Sequence, residues 1–532
     1  MFTVNNHRLP PAYLTATEPS VEPTPAAHGP SSGFESARSL PGSSARRAPP
    51  GGVAPRAPTG LLGEMTRKVV NAATKTLASA CGRVSLEEGS AIQGKTLLHR
   101  SILHAVNSSA IRGSVRPELA VTQGNRLISV DVGGNAIFSR QAELVKTAKK
   151  EVLIQTFAWD PNSTGAQMIL DSLAGLADQR ADDAEKLAVR LMVDEGTGLA
   201  KKFMLMTSAN KGKRAGPSRW SSSPQALVGN YKNRPDHKYA KITEKIDFQV
   251  RVYQHSSSNS LHSKSVVVDG VAAAMTGANV QSRNHGEMPA YDLGVTMCGP
   301  MASGLRDDFV SHWNAAVNPD QETQTMRLAP IPNAIERDEP SEGVVMALLT
   351  RTSNWNVLHN GVSSPQNQGF IAAMRNAEKS IQVMTPNLNA PAVRNELVHA
   401  ANRGVTVQIL VSKGFNDERV KGFIAGGTND ESIRDIASRI GDKSRLDIRY
   451  FQNPKHLGTD PLPDGNAAGN GASHVKFMAV DGEVVIVGSS NMDKTSWHFS
   501  AETNVAILDA EATQTIGNAV FAPAWNKSQP VP

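Results

Sequence analysis

Only two cysteines, Cys81 and Cys298, occur in 532 residues, so no disulfide framework is expected. Cys298 falls in an apolar stretch and reads as a small buried hydrophobe. Clustered cysteines and His-x3-His pairs are also missing, which removes the usual donor sets of a metal site. Neither metal nor cofactor is expected. No apolar run approaches the ~20 residues a membrane-crossing helix needs. The N-terminus lacks an apolar segment behind a basic start, so no conventional secretory signal is expected. Charge is nearly balanced, 55 Lys and Arg against 49 Asp and Glu for a net +6, and its distribution says more than its sum.

What is present is a repeat. His262-Ser263-Lys264, then four residues, then Asp269 returns as His474-Val475-Lys476, four residues, Asp481. The segments between are short and apolar, and each ends in an Asp-Gly turn, Asp269-Gly270 and Asp481-Gly482. Alternation along a strand places the His and the Lys on one face. Each copy is followed by a second apolar strand and an amide-bearing loop: Thr276-Gly277-Ala278-Asn279 after the first, Gly488-Ser489-Ser490-Asn491 after the second. A carboxylate then follows, Asp292 at 30 residues after the first His and Glu502 at 28 after the second. Two imidazoles and two ammonium groups brought to one volume suit a phosphodiester.

In these residues the chain resembles the phospholipase D superfamily, whose signature is His-x-Lys-x4-Asp in two copies. The second copy is similar to the bacterial phospholipase D and cardiolipin synthase type, with His474, Lys476, Asp481, Gly488, Ser489, Asn491, Asp493, Ser496 and Glu502 in the family's order. The first copy departs slightly, with Thr276-Gly277 where a Gly-Gly pair is common. The resemblance covers roughly residues 125 to 525. It implies that Glu502 orients His262 and Asp292 orients His474, each carboxylate serving the other half's histidine.

The flanking sequence supports a duplicated α/β unit. Helical periodicity over 135–149 runs into the strand Val152 to Phe157, and a helix at 166–176 leads to Val189 to Asp194. The second half repeats the plan: helix 369–377, strand 380–384, helix 392–402, strand 405–411. Alternating strands and helices predict largely parallel sheets covered by helices. The expected fold is α/β, two pseudo-symmetric α/β/α sandwich units packed face to face with the active site at their interface. The expected segments are a disordered leader at 1–60, a helical N-terminal region at 61–124, and units at 125–325 and 326–532.

The leader is rich in Pro, Gly, Ser and Ala, with little to pack. It resembles the export signals of bacterial effectors, and a plain disordered tail explains it equally well. Leu62, Met65, Val69, Ala73 and Leu77 recur at helical spacing, for a helix lying on a membrane surface or packed on the body. From Lys201 to Lys245, eleven Lys or Arg stand against Asp236 and Glu244, with Trp220, Tyr231 and Tyr239 interleaved. This insertion is expected near the pocket, where it suits an anionic bilayer or a nucleic-acid backbone. The loops 211–236 and 454–473 are expected to form the pocket walls. His285 and His498 are expected to be structural or surface residues.

The chemistry follows from the residue types. Lys264 and Lys476, with Asn279 and Asn491, would bind the phosphate oxygens and the charge of the transition state. One imidazole attacks phosphorus and the other protonates the departing alcohol. His262 is taken as nucleophile, although the near-symmetry leaves the order of the two open. Asp269 and Asp481 belong to the catalytic set and read as members of the strand-turn that also balance local charge. The expected partners are a phospholipid membrane surface and a water or alcohol acceptor, with no obligate nucleic acid and a monomeric enzyme. The expected function is phospholipase D-type hydrolysis or transphosphatidylation. The rivals are a cardiolipin-synthase-like transferase, a nuclease or other phosphodiesterase, and a non-catalytic membrane-binding protein.

Overall fold

The computed structural model describes residues 95–182, 184–194, 238–253, 260–316, 328–329, 343–353, 363–415, 417, 426–460 and 471–531. The leader, the helix expected at 62–77, Cys81, residues 201–237 of the basic insertion, loop 211–236 and residues 461–470 of the second loop lie outside them. All described residues belong to one unit, Ile92–Pro532.

The apolar runs form strands where the sequence places them. The first half supplies β1 (Val121–Val132), β2 (Glu151–Thr156), β3 (Leu187–Asp194), β4 (Ile246–Tyr253), β5 (Ser265–Val268), β6 (Ala272–Thr276) and β7 (Leu293–Cys298). The second half supplies β8 (Val344–Arg351), β9 (Ser380–Thr385), β10 (Thr406–Val411), β11 (Leu446–Tyr450), β12 (Phe477–Val480), β13 (Val484–Gly488) and β14 (Glu502–Leu508), with β15 (Gln529–Pro530) at its edge. Their order is β15-β11-β10-β9-β12-β13-β14-β8-β1-β7-β6-β5-β2-β3-β4. Outward from the β8–β1 pair, the two sides run through corresponding strands, which is the expected pseudo-symmetry.

Parallel pairing is confined to the outer strands, β2-β3-β4 and β9-β10-β11. The motif hairpins and the strands toward the centre are antiparallel. The expectation of largely parallel sheets is corrected accordingly. A tight turn centred on Asp-Gly can only join antiparallel neighbours, and each unit contains one.

Helices cover the outer faces because their apolar residues recur on one side. Helices Gly134–Lys146 and Thr164–Gln179 close a core over the first unit with Phe138, Ile169, Leu170 and Leu173. Helices Pro365–Arg375 and Pro391–Asn402 do the same over the second with Phe370, Met374, Val393 and Leu397. Helix Leu97–Ser109 also packs on the second unit, through Leu98, Ile102 and Val106. Between the units lies a third, shared core. It joins Leu153, Val267 and Met297 of the first with Phe477, Val487 and Val505 of the second, around Phe309, Trp313 and Phe521. The units therefore meet face to face across this core and edge to edge through β1 and β8.

The last part of the basic insertion forms helix Lys238–Lys245, and its described contacts place it on the first unit's flank. Tyr239 donates to Asp171 and Lys241 to Asp178, and Lys245 pairs with Asp182. These two lysines are engaged with carboxylates of the neighbouring helix and its end. Among the described residues no helix is long and apolar enough to cross a membrane.

Candidate active site

Two short backbone bridges build the site. Leu261 pairs with Ala501 and Tyr291 with Ser473, each in parallel. Each joins the residue before a motif histidine to the residue before the opposite half's carboxylate. His262 N–H donates to the Ala501 carbonyl and His474 N–H to the Tyr291 carbonyl, both at 2.8 Å. The next residue on each strand is then forced alongside its partner. His262 Nδ1 lies 2.9 Å from Glu502 Oε1 and 3.0 Å from Oε2. His474 Nδ1 lies 2.8 Å from Asp292 Oδ2. Nδ1 is thus engaged on both rings, which leaves Nε2 as the reacting nitrogen.

The lysines are held equally. Lys264 Nζ donates to the His262 carbonyl and Lys476 Nζ to the His474 carbonyl, and both side chains are almost wholly buried. Phe157 stands over Lys264 with its ring 5.5 Å from Nζ and meets His262 edge-on. On the far side, the Ser263 hydroxyl meets Thr503, which donates to the buried Asp308, itself accepting from Gln155. Apolar Val475 occupies Ser263's place in the second copy.

Burial of so many charges moves their proton affinities. Removal from water pushes both lysines down to about 7, although Glu502 opposes this for Lys264 and Asp292 opposes it for Lys476. Burial pushes Asp292 up to about 6 against the pull of Lys476. Burial also works to raise Glu502, but His262 and Lys264 outweigh it and hold that carboxyl below its usual range. His474 is driven well below 6.5 by burial, then by Lys476 and Arg283. His262 falls too, by burial, with Glu502 opposing.

Asn279 and Asn491 are both buried at the site, and the Oδ1 of each has no hydrogen-bond partner. One N–H of Asn491 donates to Asp493 at 3.1 Å, while Asp493 also caps helix Lys494–His498 through Ser496. Among the described residues no group of three or more His, Cys, Asp or Glu is placed to hold a metal ion.

Asp269 and Asp481 do not join this centre, which corrects their place in the catalytic set. Each lies beyond the far end of its motif strand, about 15 Å of extended chain from the lysine. Asp269 accepts the N–H groups of Lys149, Lys150 and Glu151, and Asp481 those of Glu378, Lys379 and Ser380. They tie the hairpin turn to the start of the neighbouring strand. His285 is structural as well: Nε2 accepts from Gly165 N–H at 2.9 Å, and Nδ1 faces Asn135.

Sequence reasoning missed two groups, Arg283 and Arg351, and the reason for a third, Gly277. Arg283, four residues beyond Asn279, adds a cation that acts on His474, Lys476 and Asp292. Gly277 is required by space, because a Cβ there would collide with Asp292 Oδ1 and approach Lys476. Arg351, on β8, is the register partner of Glu502 on the neighbouring strand. Only Gly277 had a visible signal, its place between Thr276 and Asn279.

A family model described as cardiolipin synthase, PLD-like domain, matches residues 370–525. The major cardiolipin synthase of Bacillus subtilis is 25% identical over 255 residues, covering 47% of this chain and 44% of that protein. Cardiolipin synthase A of Pseudomonas syringae is 25% identical over 271 residues, 49% of this chain and 47% of its own. The match thus spans under half of those relatives' length. Phospholipase D Z of Dictyostelium discoideum is 24% identical over 323 residues, 54% of this chain and 68% of its own. The crystal structure of phosphatidylserine synthase from Haemophilus influenzae aligns with a TM-score of 0.53 at 13% identity, covering 80% of this chain and 92% of that one. That likeness is one of fold.

Proposed function

The chain belongs to the phospholipase D superfamily, and on that footing we propose that it transfers the phosphatidyl group of a glycerophospholipid to an alcohol through a phosphohistidine intermediate. The observation that carries this reading is the pair of imidazoles, each held at Nδ1 by the other half's carboxylate beside a buried lysine. A phosphodiester anion repels nucleophiles until its charge is neutralised. Lys264 and Lys476 supply that charge, and the amide groups of Asn279 and Asn491 complete the cradle.

His262 Nε2 attacks phosphorus, and the P–O bond to the headgroup breaks. The bound phosphodiester anion favours the imidazolium form of His474, which takes up a proton at Nε2 on binding and delivers it to the leaving alkoxide. His474, now neutral, takes a proton from the acceptor hydroxyl. That oxygen attacks the phosphohistidine, which restores His262 and releases the new phosphodiester. With water as acceptor, the same steps yield phosphatidic acid.

Transfer is favoured over hydrolysis because most of the similar curated proteins are cardiolipin synthases. The test is incubation with vesicles of mixed glycerophospholipids and added ethanol, read by mass spectrometry. Phosphatidylethanol is expected, and it is expected to vanish in folded His262→Ala and His474→Ala. Phosphatidic acid alone would favour hydrolysis. Cleavage of DNA or a chromogenic diester without any lipid product would overturn the lipid reading. Full activity in either histidine variant would remove the two-histidine mechanism.

A further inference from the structure

The two histidine–carboxylate pairs are built from a repeat, yet their surroundings differ. Glu502 opens β14, and its register partner on β8 is Arg351. That arginine is only 3% exposed. It donates from Nη2 to the His498 carbonyl, and its Nε has no hydrogen-bond partner. Glu502 also receives the Ser489 hydroxyl on Oε2, the oxygen that faces His262. The matching surroundings of Asp292 lack a hydroxyl in Ser489's place and an arginine at the register position, and the cation acting on Asp292 is Arg283, from the loop beyond Asn279. Gly277 stands where Ser489 does, with no room for a side chain. The strand corresponding to β8 is β1, which ends at Val132 opposite Leu293, and the next residue, Gly133, donates its N–H to the Asp292 carbonyl.

We propose that Arg351, outside the repeated motifs, is a positioning residue that holds Glu502 as the permanent anion behind His262 and so makes the two pairs unequal. The proposal rests on the histidine-pair reading given above. Its chemical sense lies in the covalent step. When Nε2 of the attacking ring bonds to phosphorus, positive charge develops on that imidazole, and a fixed carboxylate at Nδ1 stabilises it. The proton-carrying ring has the opposite need, because it must release its proton to the leaving oxygen. A less firmly ionised partner suits that task, and Asp292, pushed up to about 6, is the softer anion. Arg351 itself is pushed down by burial to about 10, with Glu502 opposing, and keeps its charge at neutral pH. The asymmetry thus favours His262 as nucleophile.

The test compares Arg351→Gln and Arg351→Met with Arg351→Lys, after melting curves have established folding. A soluble chromogenic phosphodiester reports the pH profile. Carboxyl 13C NMR of glutamate-labelled protein, with Glu502 assigned by its loss in Glu502→Gln, reports ionisation without turnover. Loss of the cation is expected to raise the Glu502 midpoint by about one pH unit or more. The acid limb of kcat should move up with it while KM changes little, and Arg351→Lys should restore both. If the wild type cleaves no diester but the midpoint moves, the proposed function fails and Arg351 keeps its role. An unmoved midpoint in a folded neutral variant overturns the proposal whatever the activity. If neither neutral variant folds, Arg351→Lys decides: a Glu502 midpoint that stays at the wild-type value supports the proposal, and one that rises although the cation is kept overturns it.

Discussion

At the scale of single residues, the site is a collection of groups whose charges are costly to bury and whose pairing makes them tolerable. Lys264 and Lys476, displaced to about 7, carry the clearest consequence. Their charged forms bind phosphate, and above the displaced value the empty site loses those charges. We expect kcat/KM to fall as pH rises beyond about 7. The alkaline limb of kcat should lie at higher pH, because a bound phosphodiester anion favours the ammonium forms. Rate profiles on a soluble diester check this, and a flat kcat/KM through pH 9 would contradict it. The residues themselves were legible, since His, Lys and carboxylate recur in one order. Their proton affinities were not, because these come from burial by segments far apart in the chain.

At the scale of elements, the motif hairpins tie chemistry to folding. Asp269 and Asp481 have φ of 53° and 56°, in the left-handed region that a type I′ turn requires, and each carboxylate gathers three backbone N–H groups. Hydrogen bonds to a charged acceptor contribute roughly 1.5–3 kcal/mol each. Asp481→Asn keeps the turn geometry but weakens the acceptor, so a loss of about 1–3 kcal/mol in denaturant unfolding is expected. KM and the turnover per folded molecule should stay within a few-fold of wild type. A selective collapse of turnover without loss of stability would return the aspartate to the catalytic set. The hairpins were legible from Asp-Gly after a short apolar run. The antiparallel centre was not expected, because the helix-strand alternation of the outer strands dominated the reading.

At the scale of the whole molecule, the halves complete one another. The shared core takes side chains from both, β1 pairs with β8, and helix Leu97–Ser109 covers the second unit from the other end of the chain. We expect calorimetry of the described body to show a single transition. A fragment of residues 343–532 should fail to fold, because it exposes the β8 edge, half of the shared core and the face that helix covers. A stable, cooperatively melting fragment would show that the units are independent.

From the sequence alone came the duplication, the identity of the histidines, lysines, amides and carboxylates, and the α/β plan, because each is written in local order and period. The family resemblance added the cross-pairing of Glu502 with His262 and of Asp292 with His474. Only the tertiary structure supplied its cause, the bridges Leu261–Ala501 and Tyr291–Ser473, which join residues more than 180 positions apart. It also decided that the motif aspartates serve turns, that Ser489 donates to Glu502 and that Arg351 is the register partner of Glu502. Such facts depend on which strand lies beside which. A repeat encodes likeness between its halves, and the surroundings of the two pairs differ through the residues that the fold sets beside each carboxylate.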